Sequence, residues 1–376
     1  MQGDTTVRNV TISRLILHHV RIPLRHPFRI SIGTIHECQR LVVEMHAGQY
    51  VGWGEIAVDA VPFYTWETIG TALHVGRDLI GPLLMSRSWN TAQEAADALD
   101  AYRGHSFAKA GFEAALWDIL GQMNGLSVAR MIGGTRNIIE IGPSIGIKDS
   151  PQATVRAVRT ELEKGRRRIK IKVSPGFDDA FISEVRKEYP DISLMVDANS
   201  AYTPADIDRI AAWDRYRLLM IEQPFEMHDL YYHAQLCRRT QTPICLDESI
   251  ENAHLADCAI RMQAADIVNI KVGRVGGLTH VRRIHDCCVA AGIPVWVGSR
   301  VGTGIGEAMR VAAAALPGAT LPSDAVFCRE YLADDILTDA FTIFNGCEIA
   351  VPRTPGMGIR IDDKRLSRYT EVQVRL

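Results

Sequence analysis

Five charged residues recur through the middle of the 376-residue chain: Lys172, Asp197, Glu222, Asp247 and Lys271, spaced 25, 25, 25 and 24 residues apart. Three carboxylates brought together would repel and raise one another's pKa values unless a cation joined them. Oxygen donors with no neighbouring Cys or His select a hard dication, Mg²⁺ or Mn²⁺. Lysines at either end of such a trio stand across a site from one another. One can take a proton alpha to a carboxylate, a metal can hold the enediolate oxygens, and the other lysine can act on the opposite face. A single charge after a strand is more often a surface group or an ion-pair partner. Five at one period, ordered Lys-Asp-Glu-Asp-Lys, argue for a site.

The elements that must position them are legible in the same repeat. Each residue closes a short apolar run: Arg168-Ile-Lys-Ile-Lys172, Ile192-Ser-Leu-Met-Val-Asp197, Leu218-Leu-Met-Ile-Glu222, Pro243-Ile-Cys-Leu-Asp247 and Ile267-Val-Asn-Ile-Lys271. Ile139 to Ser144, Pro294 to Gly298 and Thr320 to Asp324 keep similar time. Nearly continuous runs of this length suit parallel strands buried on both faces. Between them Ser150-Pro and Thr203-Pro read as helix starts, and Leu278 to Ala291 carries Val281, Ile284, Cys288 and Val289 as one stripe. Strands alternating with helices over about 190 residues predict an α/β fold with a (β/α) barrel, whose site lies at the C-terminal ends of its strands. No G-x-G-x-x-G follows an early strand, which counts against a dinucleotide-binding open sheet. Gly273 to Gly277 and Gly302 to Gly306 read as barrel loops. By the period of two, Lys170 points inward with Lys172 and supports it or the metal ligands. Asn199 and Glu248, next to the carboxylates, are expected to support them.

Lys and Arg number 42 against 44 Asp and Glu, a net charge of −2 that gives no footprint for nucleic acid or for an anionic membrane. A hydrophobic fraction of 47% and a charged fraction of 23% are those of a globular protein rather than a disordered one. The apolar run at Val311 to Leu316 is far too short to span a bilayer. The N-terminus does not read as a signal peptide. Eight scattered cysteines without a C-x-x-C pair indicate free thiols in a reducing cytoplasm.

Lys170-Ile-Lys172, Val196-Asp-Ala-Asn199, Ile221-Glu-Gln-Pro224, Leu246-Asp-Glu-Ser249 and Asn269-Ile-Lys-Val-Gly-Arg-Val-Gly-Gly277 together resemble the enolase superfamily and its muconate-lactonizing subgroup. Pro27 to Thr34, Gly52-Trp-Gly-Glu55, Gly104 to Glu113 and Ile349 to Gly358 are similar to the capping domain of the o-succinylbenzoate synthase / N-succinylamino acid racemase group. The resemblance implies a modified TIM barrel, (β/α)7β, over residues 136–329. An α+β cap would come from residues 1–135 and be completed by residues 330–376. It implies that Asp197, Glu222 and Asp247 bind Mg²⁺ and that Lys172 and Lys271 are the acid/base pair. Two cap stretches, Phe28 to Thr34 and Ala57 to Thr65, would close over the mouth and select the substrate, with Phe28, Ile32 and Tyr64 as contacts. The plainer reading of those three is cap core.

One stretch departs from the group. Where the pattern is Gly-Gly-Met-Leu-Glu-Ser-Gly-Ile-Gly-Arg, this chain has Gly298-Ser-Arg-Val-Gly-Thr-Gly-Ile-Gly-Glu307, so Arg300 replaces Met and Gly302 replaces Glu. Arg300 is expected either to read a substrate anion by a forked contact or to turn outward onto an acidic cap residue. The implied activity is proton abstraction alpha to a carboxylate, in an o-succinylbenzoate synthase or N-acylamino acid racemase. The alternatives are a muconate-type cycloisomerase, a dipeptide epimerase, or a barrel that binds without turnover. Dipeptide epimerases usually carry Asp-x-Asp after strand eight, and Asp324-Ala-Val-Phe lacks the second Asp. Two opposed bases are not needed for binding alone. The expected partners are a small carboxylate substrate and further copies of the chain, a homo-oligomer.

Overall fold

The computed structural model describes residues 9–30, 33–62, 64–324, 328–339 and 341–376. Three strands open the chain: β1 (Arg14–Ile30), β2 (Gly33–Ala47) and β3 (Tyr50–Ile56). They form an antiparallel sheet ordered β15-β1-β2-β3, whose outer strand β15 (Thr370–Arg375) comes from the other end of the chain. The helix Ser106–Asn124 packs across it, and fourteen of that helix's residues are buried. Apolar residues on both sides of the helix join two cores. Phe112, Ala115 and Ile119 face the cap core, whereas Ala114 belongs to the barrel side.

The barrel follows: β4 (Ile138–Gly142), β5 (Ser144–Ile145), β6 (Arg168–Lys172), β7 (Ser193–Asp197), β8 (Ile221–Glu222), β9 (Ile244–Leu246), β10 (Ile267–Ile270), β11 (Val295–Val297) and β12 (Ser323–Asp324). Strands β5 to β11 make a parallel sheet in chain order. Ser323 and Asp324 of β12 pair in parallel with Ile141 and Gly142 of β4, and Val295 pairs with Ala319, which brings the ends of the sheet together. Two short strands extend this edge: β14 (Glu348–Ala350) pairs antiparallel with β4, and β13 (Ile343–Phe344) pairs antiparallel with β14.

Alternation along each strand assigns the two faces. Ile169, Ile171, Leu194 and Val196 pack toward the surrounding helices. Met195, Met220, Cys245, Ile267 and Trp296 form a separate apolar cluster. Met195, Met220, Cys245 and Ile267 share parity with Asp197, Glu222, Asp247 and Lys271. The same inward faces thus carry an apolar floor below and charge at the mouth. The helix starts fall where expected: Ser150 accepts from Ala153 N at 3.2 Å ahead of Pro151, and Thr203 caps a one-turn helix at Pro204–Asp206. Val289 is a correction. In helix Leu278–Ala290 it is 48% exposed, while Val281, Ile284 and Cys288 are buried. One residue beyond Cys288 it lies about 100° round the helix, off the stripe. Among the described residues no helix is long and apolar enough to cross a membrane.

Candidate active site at the barrel mouth

Lys172, Asp197 and Glu222 sit side by side at the ends of β6, β7 and β8, with Lys172 paired to Asp197 and Asp197 to Glu222 in register. Asp247 and Lys271 follow the last residues of β9 and β10. The three carboxylates are fully buried and the two lysines nearly so.

Each lysine is held by the carboxylate of a neighbouring strand. Lys172 Nζ donates to Asp197 Oδ2, and to Asn199 Oδ1 at 2.8 Å. Lys271 Nζ donates to Asp247 Oδ2 at 2.6 Å and to the Tyr64 hydroxyl at 2.7 Å. Asn199 Nδ2 donates to Glu248 Oε1 at 2.9 Å, and the Tyr64 hydroxyl donates to the same oxygen at 2.8 Å. A hydrogen-bonded chain therefore runs Lys172–Asn199–Glu248–Tyr64–Lys271. The other Glu248 oxygen, Oε2, is buried with no hydrogen-bond partner.

Lys170 is below them and wholly buried. Its ammonium reaches Asp324 at 2.6 Å, Glu222 at 3.1 Å and Asp197 at 3.5 Å, and lies 4.8 Å above the Trp296 ring. Burial alone would lower its pKa, but Asp324, Glu222 and Asp197 outweigh burial and hold it above the usual lysine value. Asp247 is driven below the carboxylate range despite its burial, because Arg274 and Lys271 both face it. Glu222 goes the other way: burial and then the Asp197 charge push it well above the ordinary value, though Lys170 opposes them. Asn269 Nδ2 donates to Glu222 Oε1 at 2.7 Å.

All the expected mouth residues that the structure describes come together. Phe28, Tyr64, Lys170, Lys172, Asn199, Lys271 and Arg300 line one cavity. Phe28 lies at its rim, edge-on to Tyr331 at 5.6 Å. Ile32 falls outside the described residues. Arg300 fits neither expectation alone. It bonds an acidic cap residue, Asp59 Oδ2, yet it points inward and is 9% exposed. As placed, the three carboxylates turn toward lysine and arginine, and among the described residues no three His, Cys, Asp or Glu side chains form a metal-ligand set.

Several partners carried no periodic signal. Arg274 donates to Asp247 Oδ1 and to the Tyr64 hydroxyl. It sits three residues past Lys271 on a one-turn helix, Val272–Val275, that folds it back over the mouth. Arg168 reaches Asp324 Oδ1 at 3.1 Å. Gln223 Oε1 accepts from Asp247 N at 2.9 Å and fixes the turn after β9. The Asp324 position was legible as the end of strand eight, but its use as a partner of Lys170 was not.

Residues 153–365 match the family model described as Enolase C-terminal domain-like, and residues 12–133 match the Mandelate racemase / muconate lactonizing enzyme, N-terminal domain. The chain is 39% identical over 363 residues to an o-succinylbenzoate synthase of Geobacillus kaustophilus, covering 96% of each. It is 40% identical over 366 residues to an N-succinylamino acid racemase of an Amycolatopsis species, covering 96% of this chain and 98% of that one. A solved enolase-superfamily structure from Listeria innocua superposes with a TM-score of 0.94 at 33% identity, covering 98% of this chain and 99% of that one.

Proposed function

The chain belongs to the enolase superfamily, as an enzyme of its mandelate racemase / muconate lactonizing branch, and from that premise we propose that it removes the proton alpha to a substrate carboxylate, in an o-succinylbenzoate synthase or N-acylamino acid racemase reaction. The observation that carries this reading is that the ammonium-bearing side chains of Lys172 and Lys271 line one cavity, each anchored to a carboxylate of the neighbouring strand. The names of the full-length relatives, synthases and racemases, support it.

In this reading Lys172 takes the proton from the alpha carbon and Lys271 serves the opposite face. A dehydration needs one of them as base, and a racemisation needs both. Asn199 and Tyr64 fix where each ammonium points, and Glu248 ties the two together. Lys170 is a positioning residue that holds Asp197, Glu222 and Asp324 in place. Asp197, Glu222 and Asp247 would hold Mg²⁺, or Mn²⁺: they are oxygen-only donors at the ends of three successive strands, and Glu222, buried beside Asp197, has a single ammonium within reach. When bound, the ion supplies positive charge against the oxygens of the deprotonated carboxylate. Residues 1–135 and 330–376 make the cap in this reading and residues 136–329 the barrel. Eight free cysteines support a reducing, cytoplasmic setting, and a homo-oligomer is the expected assembly.

The test is exchange of the alpha proton in D₂O with a panel of N-acylamino acids and dipeptides in the presence of Mg²⁺. Exchange with racemisation supports two bases, and loss of water from a β-hydroxy carboxylate added to the panel supports the synthase. If no acid exchanges, with Lys271→Ala equal to wild type, the mechanism is wrong.

A further inference from the structure

Arg300 stands just past β11, where the group pattern has a methionine. Its guanidinium lies 4.6 Å over the Tyr64 ring and 5.6 Å from the Phe107 ring, which fixes its plane. One terminal nitrogen, Nη2, is spent on Asp59. The other, Nη1, is buried and has no hydrogen-bond partner among the described residues, and neither has the neighbouring Ser299 hydroxyl.

The charge count around Asp59 is uneven. Arg40 Nη1 also binds Asp59, at 2.9 Å, and Arg40 has further acceptors in the carbonyls of Val58, at 3.0 Å, and Val301. Two guanidiniums share one carboxylate, so a positive charge is left over, and it falls to Arg300. Glu55 is the next acid along this wall, but its Oε2 is taken by Thr303, N at 2.6 Å and Oγ1 at 2.7 Å. An acid at position 302, where the group pattern places one, would have to displace the Glu55 carboxylate, since a Cβ on Gly302 would lie 2.4 Å from Glu55 Oε1. A buried cationic donor without an acceptor is costly. Arg300 as a residue lines the same cavity as Lys172 and Lys271.

We propose that Arg300 selects a substrate with a second anionic group, contacting it through its guanidinium while the first carboxylate sits at the lysine pair. The inference rests on the proton-abstraction reading above. The second anion has two possible sources, the acyl chain or the amino-acid side chain. Arg300 lies in the loop after the strand that follows Lys271 and carries no part of the proton transfer, so it acts on choice of substrate.

The experiment measures kcat/KM for alpha-proton exchange, with Mg²⁺, on N-succinylvaline, N-butanoylvaline and N-acetylglutamate, in wild type, Arg300→Met and Arg300→Lys. Wild type should prefer one of the two dianions over N-butanoylvaline by at least about tenfold, as a charge-assisted contact does. Which dianion wins identifies the source. In Arg300→Met that ratio should collapse toward one, and Arg300→Lys, which keeps the charge but loses the fork, should fall between. Each ratio is taken within one enzyme, so a general loss of activity cancels. A wild-type ratio near one, or a preference that survives in Arg300→Met, overturns the assignment of Arg300 alone. Exchange of none of the three by wild type overturns the reaction and the assignment together.

Discussion

Asp324 and Asp118 are both carboxylates sealed from solvent, and the molecule treats them in opposite ways. Asp324, at the barrel mouth, faces two cations. Burial works to raise it, but Lys170 and Arg168 outweigh burial and bring it to about 2. Asp118 is in the cap helix, where no cation among the described residues bonds to it. It accepts from the backbone N–H groups of Met357 at 2.8 Å and Trp53 at 3.0 Å, and from Gln122 at 3.1 Å. Burial dominates there, and the carboxyl is pushed up to about 6. Glu113 follows the second pattern: its oxygens accept from the N–H groups of Leu278 and Thr279, both at 2.8 Å, and burial raises it. Gly277, at φ +119°, is what lets Glu113 come so close, since a Cβ there would lie 2.4 Å from Glu113 Oε2. Cation-matched acids build the mouth, and acids matched to backbone N–H groups pin the cap helix to β3, to the C-terminal segment and to the barrel. The first set keeps charge ready for chemistry, and the second uses carboxyls as multi-acceptor fasteners.

The largest break in this contrast is Lys170→Met. The substitution preserves most of the volume but strips the ammonium from Asp324, Glu222 and Asp197. Buried acids left without their partner cost about 3–5 kcal/mol, which a guanidinium unfolding titration reads directly. Nearly unchanged stability would mean that the mouth acids do not depend on their cations.

Asp118 breaks the other half, through pH. Its folded pKa, about 6, stands above the ordinary 3.8, so the folded protein binds this proton more tightly than the unfolded chain does. The stability it contributes is full below about pH 4 and is lost as the pH rises to about 6, with no further change from this group above that. The size is about 3 kcal/mol. In Asp118→Asn this slope should vanish, so the stability of wild type relative to the variant should fall between pH 4 and 6 and then level. A flat difference across that range would mean that Asp118 is not a buried neutral acid at low pH.

How much of this was legible follows from where each residue sits. The mouth lies on a repeat: one strand and one helix take about 25 residues, so strand ends recur and inward parity picks out Lys170 with Lys172. The fasteners lie on no repeat. Glu113 is one of two acids in a largely apolar helix, and its partners are N–H groups 165 and 166 residues away, for which no residue type is diagnostic. Arg274 looks like a solvated helix residue until the one-turn helix bends it back. Arg300 was visible as a departure from a pattern, but its pairing with Asp59 depends on how the cap settles on the barrel, which the local sequence does not encode.

Tyr64 is where the two regions meet, and it gives the smallest and most selective effect. Its hydroxyl comes from the cap, yet it touches Lys271, Arg274 and Glu248 at the mouth. Burial first of all holds its pKa well above the ordinary phenol value, so it stays a neutral hydroxyl that accepts from Lys271 and donates to Glu248. Lys172 Nζ donates to Asp197 and Asn199 instead. Tyr64→Phe keeps the ring under Arg300 and removes one hydrogen bond to the Lys271 ammonium, worth about 1.5 kcal/mol or roughly tenfold. Exchange from the Lys271 face should therefore slow about tenfold while exchange from the Lys172 face changes little. The two are separable by following deuterium uptake from each enantiomer of the same N-acylamino acid. Equal slowing of both enantiomers would show that the cap hydroxyl acts on the mouth as a whole, through Glu248 and Asn199, and the two lysine faces would then have to be treated as one coupled unit.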